Sequence, residues 1–93
     1  MKWAFIYTLD DPAAEPRIDV IGSLVCAGVR SVADAPTVAR QLVAEGVELI
    51  ELCGGFGGAG LGMVASAVKV PVGAVFFGVE ASAGLSRIFP GRS

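Results

Sequence analysis

The sequence predicts a small α/β sandwich in the order β-β-α-β-α-β, with a mostly parallel four-stranded sheet completed by oligomerisation. Three observations predict it. Residues 47–53, VELIELC, are an apolar strand-like run that empties into a loop with glycines at 54, 55, 57, 58, 60 and 62. Residues 70–78, VPVGAVFFG, form a second such run, and a small-residue helical stretch joins the two. Strands joined by a helix are parallel neighbours with a right-handed crossover. Their near-continuous apolar character suits a sheet covered on both faces. The length, 93 residues, fits one domain, 1–93.

Each element follows in turn. Residues 2–8, KWAFIYT, are rich in the aromatic and β-branched types that favour a first strand. Residues 10–16 are a polar loop with two prolines, the most mobile stretch expected. Residues 18–29, IDVIGSLVCAGV, read as a second strand bent at Gly22. Ser31 is a candidate N-cap, and Pro36 fits only a first helical turn, so the helix begins near Asp34 or Ala35. Val38, Ala39, Leu42 and Val43 make its apolar stripe, and Gly46 its C′ residue. Residues 47–53 are the third strand, 60–68 the second helix and 70–78 the fourth strand. The tail, 79–93, carries one short helical turn around 81–88.

Composition narrows the function. Apolar residues make up 54% and charged residues 17%, against about 25% charged in an ordinary soluble domain. A chain this short buries only a modest core. If both helices lie on one sheet face, the other face needs a second subunit, so a homo-oligomer is expected. The net charge is −2, and the seven Lys and Arg residues are scattered, which excludes a nucleic-acid surface. Histidine is absent, removing the commonest general base and metal ligand. No metal site is expected, because Cys26 and Cys53 lack ligand spacing. Two cysteines behind no signal peptide read as reduced thiols, hence a cytoplasmic protein. Residues 61–79 are almost all apolar, but Lys69 and Pro71 interrupt them, so no membrane span is expected.

In a parallel sheet, ligands bind beyond the carboxyl ends of the strands. Cys26, Arg30, Glu51, Cys53 and Glu80 fall there, and Arg87 lies on a tail able to fold back. Glu51 and Cys53, at i and i+2, share a strand face. Glu51 stands between Ile50 and Leu52, where a carboxylate must be paired, hydrogen-bonded or protonated. Such a group is either an acid–base catalyst or a structural acceptor for loop amides. The loop 54–60 has the makings of an anion site, because glycine admits close approach and first-turn N–H groups are unpaired. Gly54, Gly55, Phe56, Gly57, Gly58 and Gly60 are its candidate ligand-binding residues. Residues 55–60 fit G-x-G-x-x-G, with Glu80 about 20 residues beyond. No second half follows to hold a dinucleotide, so the cofactor stays undetermined. The alternative use of Gly58, Gly60 and Gly62 is close helix packing.

EGVELIELCGGFG, with VPVGAVFFGVEAS downstream, resembles a family of short, mainly bacterial single-domain proteins catalogued as a domain of unknown function. The likeness runs from KWAFIY to GVEAS. It implies a small cytoplasmic α/β protein and points to Glu51, Gly54, Gly55, Phe56, Gly57 and Glu80. GVELIELCGGFG also looks like a strand and loop of (β/α)₈ enzymes such as the tryptophan synthase alpha chain, with Glu51 where a strand-end glutamate acts as acid–base. The chain is far too short for that barrel.

Three functions are consistent with these residues. The first is a protein binding a small anionic or polar metabolite at loop 54–60. The second is an acid–base enzyme using Glu51 with Cys53 or Glu80. The third is a non-catalytic assembly protein, in which Trp3, Phe5 and Tyr7 or the tail Arg87-Ile88-Phe89-Pro90 meet a partner.

Overall fold

A computed structural model describes residues 1–11 and 13–90. Pro12 of the polar loop and residues 91–93 of the tail, with Arg92, lie outside the described residues. The architecture is α/β, a mixed five-stranded sheet with three α-helices. The strands are β1 (Trp3–Thr8), β2 (Arg17–Ile21), β3 (Leu24–Val29), β4 (Leu49–Leu52) and β5 (Val72–Ala74). Their order across the sheet is β2-β3-β1-β4-β5. β3, β1, β4 and β5 run parallel, and β2 is an antiparallel edge.

The fifth strand corrects the expected count of four. Residues 18–29 are a hairpin, not one bent strand: Ile21 pairs with Leu24 across the two-residue loop Gly22-Ser23. Gly22 has φ +60°, as the first position of a tight hairpin turn requires. The expected fourth strand also shrinks, from 70–78 to Val72–Ala74. β4 stops at Leu52, where the chain turns into a helix, so β5 runs out of partner. Its last ladder bond is Val75 N–H to Leu52 O, 2.9 Å.

The helix α1 (Ala35–Ala44) carries Pro36 in its first turn, as the sequence requires. Ser31 instead precedes a short 3₁₀ turn, Val32–Asp34, and its side chain caps nothing. At the other end Gly46, φ +103°, donates to Val43 O and Val47 N–H donates to Leu42 O, each 3.0 Å. That pair of bonds is a Schellman stop, and Val47 and Leu42 are both buried beside it. The helix α2 (Gly57–Ala67) begins three residues earlier than the sequence suggests. The helix α3 (Ser82–Ile88) buries no residue.

Topology decides where the core lies. The crossover β3-α1-β4 and the crossover β4-α2-β5 step across the sheet in one direction. Two right-handed crossovers of that kind put both helices on the same face. Ala4 and Ile6 of β1, Val25 and Ala27 of β3, and Ile50 and Leu52 of β4 form the core with Ala39, Leu42 and Val64 of the two helices. The opposite face presents Trp3, Phe5, Tyr7, Leu24, Cys26 and Leu49, all half-buried, on the side away from α1 and α2. Phe5 and Tyr7 stack there at 6.2 Å. A sheet covered on both faces is therefore not what one chain builds. Among the described residues no helix is long and apolar enough to cross a membrane.

Candidate functional site

Because β3, β1 and β4 are parallel, their carboxyl ends open on the same side. The backbone ladder runs one residue past them, with Leu9 N–H to Val29 O at 2.8 Å and Cys53 N–H to Ile6 O at 3.0 Å. A cavity of about 800 Å³ lies beyond these ends. Tyr7, Thr8 and Asp10 enter it from β1, Ser31 from β3, and Cys53 with the backbone of Gly54 and Gly55 from β4. The segment after β5 crosses over the top and supplies Phe77, Leu85 and Phe89. The strand-end side thus mixes hydroxyls, a carboxylate and backbone with the apolar Leu9 and Val32, and the segment after β5 adds only apolar side chains.

The turn below Cys53 is built for close contact. Residues Gly54–Phe56 make one 3₁₀ turn, closed by Phe56 N–H to Cys53 O at 3.2 Å. The first N–H groups of such a turn, those of Gly54 and Gly55, have no acceptor within it. The Thr8 hydroxyl stands 3.9 Å from the Cys53 thiol. A Cβ on Gly55 would lie 3.2 Å from that hydroxyl and 3.6 Å from the thiol, and one on Gly54 would touch the Phe77 ring at 3.4 Å. Gly57, with φ +64° and ψ −175°, occupies a region that belongs to glycine almost alone.

The candidate residues divide. Cys53, Gly54 and Gly55 line the cavity; Glu51, Glu80, Phe56, Gly57, Gly58 and Gly60 do not. Phe56 is a core residue, 5% exposed, and Gly60 is buried against it: a Cβ there would meet Phe56 at 3.0 Å and Val32 at 3.1 Å. Close packing, one of the two uses foreseen for the glycines, therefore holds for Gly60. A Cβ on Gly58 or Gly62 would meet nothing within 4 Å.

Glu51 needs no special pairing. Ile50 and Leu52 turn to the core while Glu51, on the alternate face, is exposed in register with Phe5 and Gly73. Cys53 leaves that alternation, since Thr8, its contact, has the parity of the core-facing Ala4 and Ile6. Glu51 and Cys53 thus do not share a strand face, and only Cys53 lines the cavity. Glu80 sits in a 3₁₀ turn, Val79–Ala81, well past β5, with its carboxylate folded back against Gly78. That is not the strand-end position a dinucleotide ribose would need. Arg30 is engaged elsewhere, donating to Ala14 O at 2.9 Å and pairing with Glu15 at 3.1 Å. Cys26, unbridged like Cys53, lies mid-sheet on the open face. Among the described residues no cluster of Cys, Asp or Glu is arranged to hold a metal ion.

Thr8, Asp10, Ser31 and Phe77 were missed by the sequence reading. Thr8 ends the first strand, and the strand-end rule that singled out Cys53 applies to it and to the two flanking loops. Nothing in the sequence pointed to Phe77, which was assigned to a strand.

The chain belongs to DUF6506, a family of unknown function whose profile matches residues 1–90. No curated protein and no solved structure matches it significantly.

Proposed function

We propose that this member of DUF6506 binds a small polar metabolite with an apolar portion in the cavity beyond the parallel strand ends. The observation that carries the proposal is the mixed lining of that cavity, in which the hydroxyls of Tyr7, Thr8 and Ser31, the Asp10 carboxylate and the backbone of Gly54 and Gly55 meet apolar and aromatic side chains. Ligand pockets in parallel α/β sheets occur at this end, and about 300–1,000 Å³ is their usual size. Gly54 and Gly55 offer backbone N–H donors, Thr8 and Ser31 offer hydroxyls, and Asp10 offers a carboxylate acceptor. Phe77, Leu85 and Phe89 cover the apolar part. Among the described residues that line it there is no Lys or Arg. With Asp10 on the rim, that favours a neutral or cationic polar group over the anion that the glycine loop alone suggests.

An acid–base enzyme centred on Glu51 has less support, because Glu51 and Glu80 both lie outside the cavity. Native mass spectrometry of freshly purified protein tests the two together. Binding predicts a retained adduct, or a rise in melting temperature with a panel of small polar metabolites. That signal should be lost in Thr8→Val and Gly55→Val and kept in Glu51→Gln. Loss of the signal in Glu51→Gln instead would move the site to the open sheet face. No adduct and no shift with any compound would count against a ligand site.

A further inference from the structure

We infer that two copies of this chain join edge to edge through β2, paired antiparallel about Ile18, so that their sheets become one. The backbone decides which edge groups are free. Trp3 N–H donates to Ser23 O at 2.9 Å and Leu9 N–H to Val29 O at 2.8 Å. Backbone groups point to alternate sides along a strand. The odd-numbered residues from Ser23 to Val29 therefore serve β1, and Leu24, Cys26 and Gly28 serve β2. Their partners there are Ile21, Asp19 and Arg17. Ile18 and Val20 thus turn their N–H and C=O groups off the sheet, and among the described residues nothing bonds to them. Their side chains are 56% and 68% exposed. Free backbone groups on an exposed β-branched edge are a template for another strand. The far edge is protected by its shortness, since β5 is only Val72–Ala74.

The charges on β2 identify the incoming strand as a second β2. Ile18 and Val20 lie opposite Ala27 and Val25 of the core, so they are on the helix side and Arg17 and Asp19 on the other. Antiparallel pairing about Ile18 sets each Arg17 across from the partner's Asp19, at the closely spaced positions between ladder bonds. Arg17 already holds its own Asp19 at 2.8 Å, so the two-fold closes both pairs into a ring of alternating charge. In the same register Ile18 exchanges ladder bonds with its counterpart. Val20 N–H meets the carbonyl of the partner's Pro16, a residue with no N–H of its own. Pairing about Asp19 instead would set like charges directly opposite one another. A foreign strand would need the same two charges at the same spacing; a second copy supplies them by symmetry.

Packing and closure agree with this register. A groove of about 230 Å³ between β2 and α1 is lined by Pro16, Ile18, Val38 and Leu42 among others. The partner's Val20, opposite Pro16 and on the helix side, arrives at its mouth, and the two-fold repeats the contact. Joining β2 to β2 closes on itself, whereas β2 on the β5 of a next copy would be a heterologous contact. The charges select the register, while the ladder and the apolar contacts hold it. Neutralising one exposed partner therefore matters little, and reversing its sign matters more.

Sedimentation equilibrium of the full chain over a wide concentration range tests this. The expected result is a dimer of the 9.4 kDa protomer. Ile18→Pro removes an outward donor and leaves the β2–β3 ladder its bonds, so it should give the protomer mass with the circular dichroism spectrum retained. Arg17→Asp and Asp19→Arg should each weaken the dimer about tenfold, because like charges then face each other twice. Mixed in equal amounts, these two variants should dimerise again, because opposite charges then meet at both positions. The mixture keeps the test decisive if Ile18→Pro fails to fold. A wild-type chain at protomer mass throughout would overturn the inference. So would a dimer unmoved by all three variants, or a mixture no tighter than its components.

Discussion

The two faces of the sheet are made from the same strands and behave oppositely. On β4, Ile50 and Leu52 are fully buried under the helices, while Leu49 and Glu51, one residue away each, look out from the other face. On β1 the small and branched Ala4 and Ile6 turn inward, and the bulky Trp3, Phe5 and Tyr7 turn outward. The covered face is where the chain stabilises itself. The open face keeps its apolar and aromatic side chains only half-buried. Strand alternation separates the two, so a single-residue step along β4 changes a side chain's role from core to surface.

Leucines on opposite faces of β4 give the largest contrast. Leu52→Ala should cost about 2–5 kcal/mol, because it empties a fully enclosed site; urea denaturation reads the loss. Leu49→Ala, half-buried, should cost clearly less at low protein concentration. Equal losses would break the contrast and mean that the open face is as enclosed as the core.

Next come the glycines that join the covered face to the cavity. Gly57→Ala should cost about 1–3 kcal/mol, since its backbone conformation is nearly closed to other residues. No neighbour crowds its Cβ position, so Gly57→Ala and Gly57→Val should lose similar stability. A much larger loss in the valine variant would indicate crowding rather than backbone strain.

Within α2, Gly60→Ala should destabilise, because Phe56 and Val32 stand 3.0–3.1 Å from the new methyl. Gly62→Ala should stabilise by about 0.5–1 kcal/mol, the helix propensity of alanine with no steric penalty. Opposite signs in thermal melts are expected. A loss at Gly62 would mean that something outside the chain approaches that face of the helix.

The smallest effect belongs to the exposed pair on β2. Arg17 donates to Asp19 at 2.8 Å; this hydrogen bond holds the Asp19 carboxyl below the ordinary carboxylate range, opposed in part by desolvation. A lowered folded-state value stabilises above the ordinary range, and the contribution fades as pH falls through the lowered value. Asp19→Asn should therefore lower the melting temperature slightly at neutral pH and not at all in strong acid. The pair is exposed to solvent, so the difference should be near the limit of measurement.

Local chemistry was enough for several elements. The aromatic and β-branched run of residues 2–8, Pro36 at a helix start and Gly46 at a helix end each act within a few residues, and each is where it was expected. A hairpin at Gly22 was not legible, because a two-residue turn and a bend within one strand look alike until a pairing partner is known. The end of β5 was likewise set by where β4 stops. The cavity was half legible. Cys53, Gly54 and Gly55 follow from a strand emptying into glycines, but Thr8, Ser31 and Phe77 join them only because parallel strands bring distant segments to one end. Glu51 shows the remaining limit most plainly. Its flanking residues predict burial, yet a strand's two faces share the same sequence, and only the side on which the crossovers placed the helices decided which face met water.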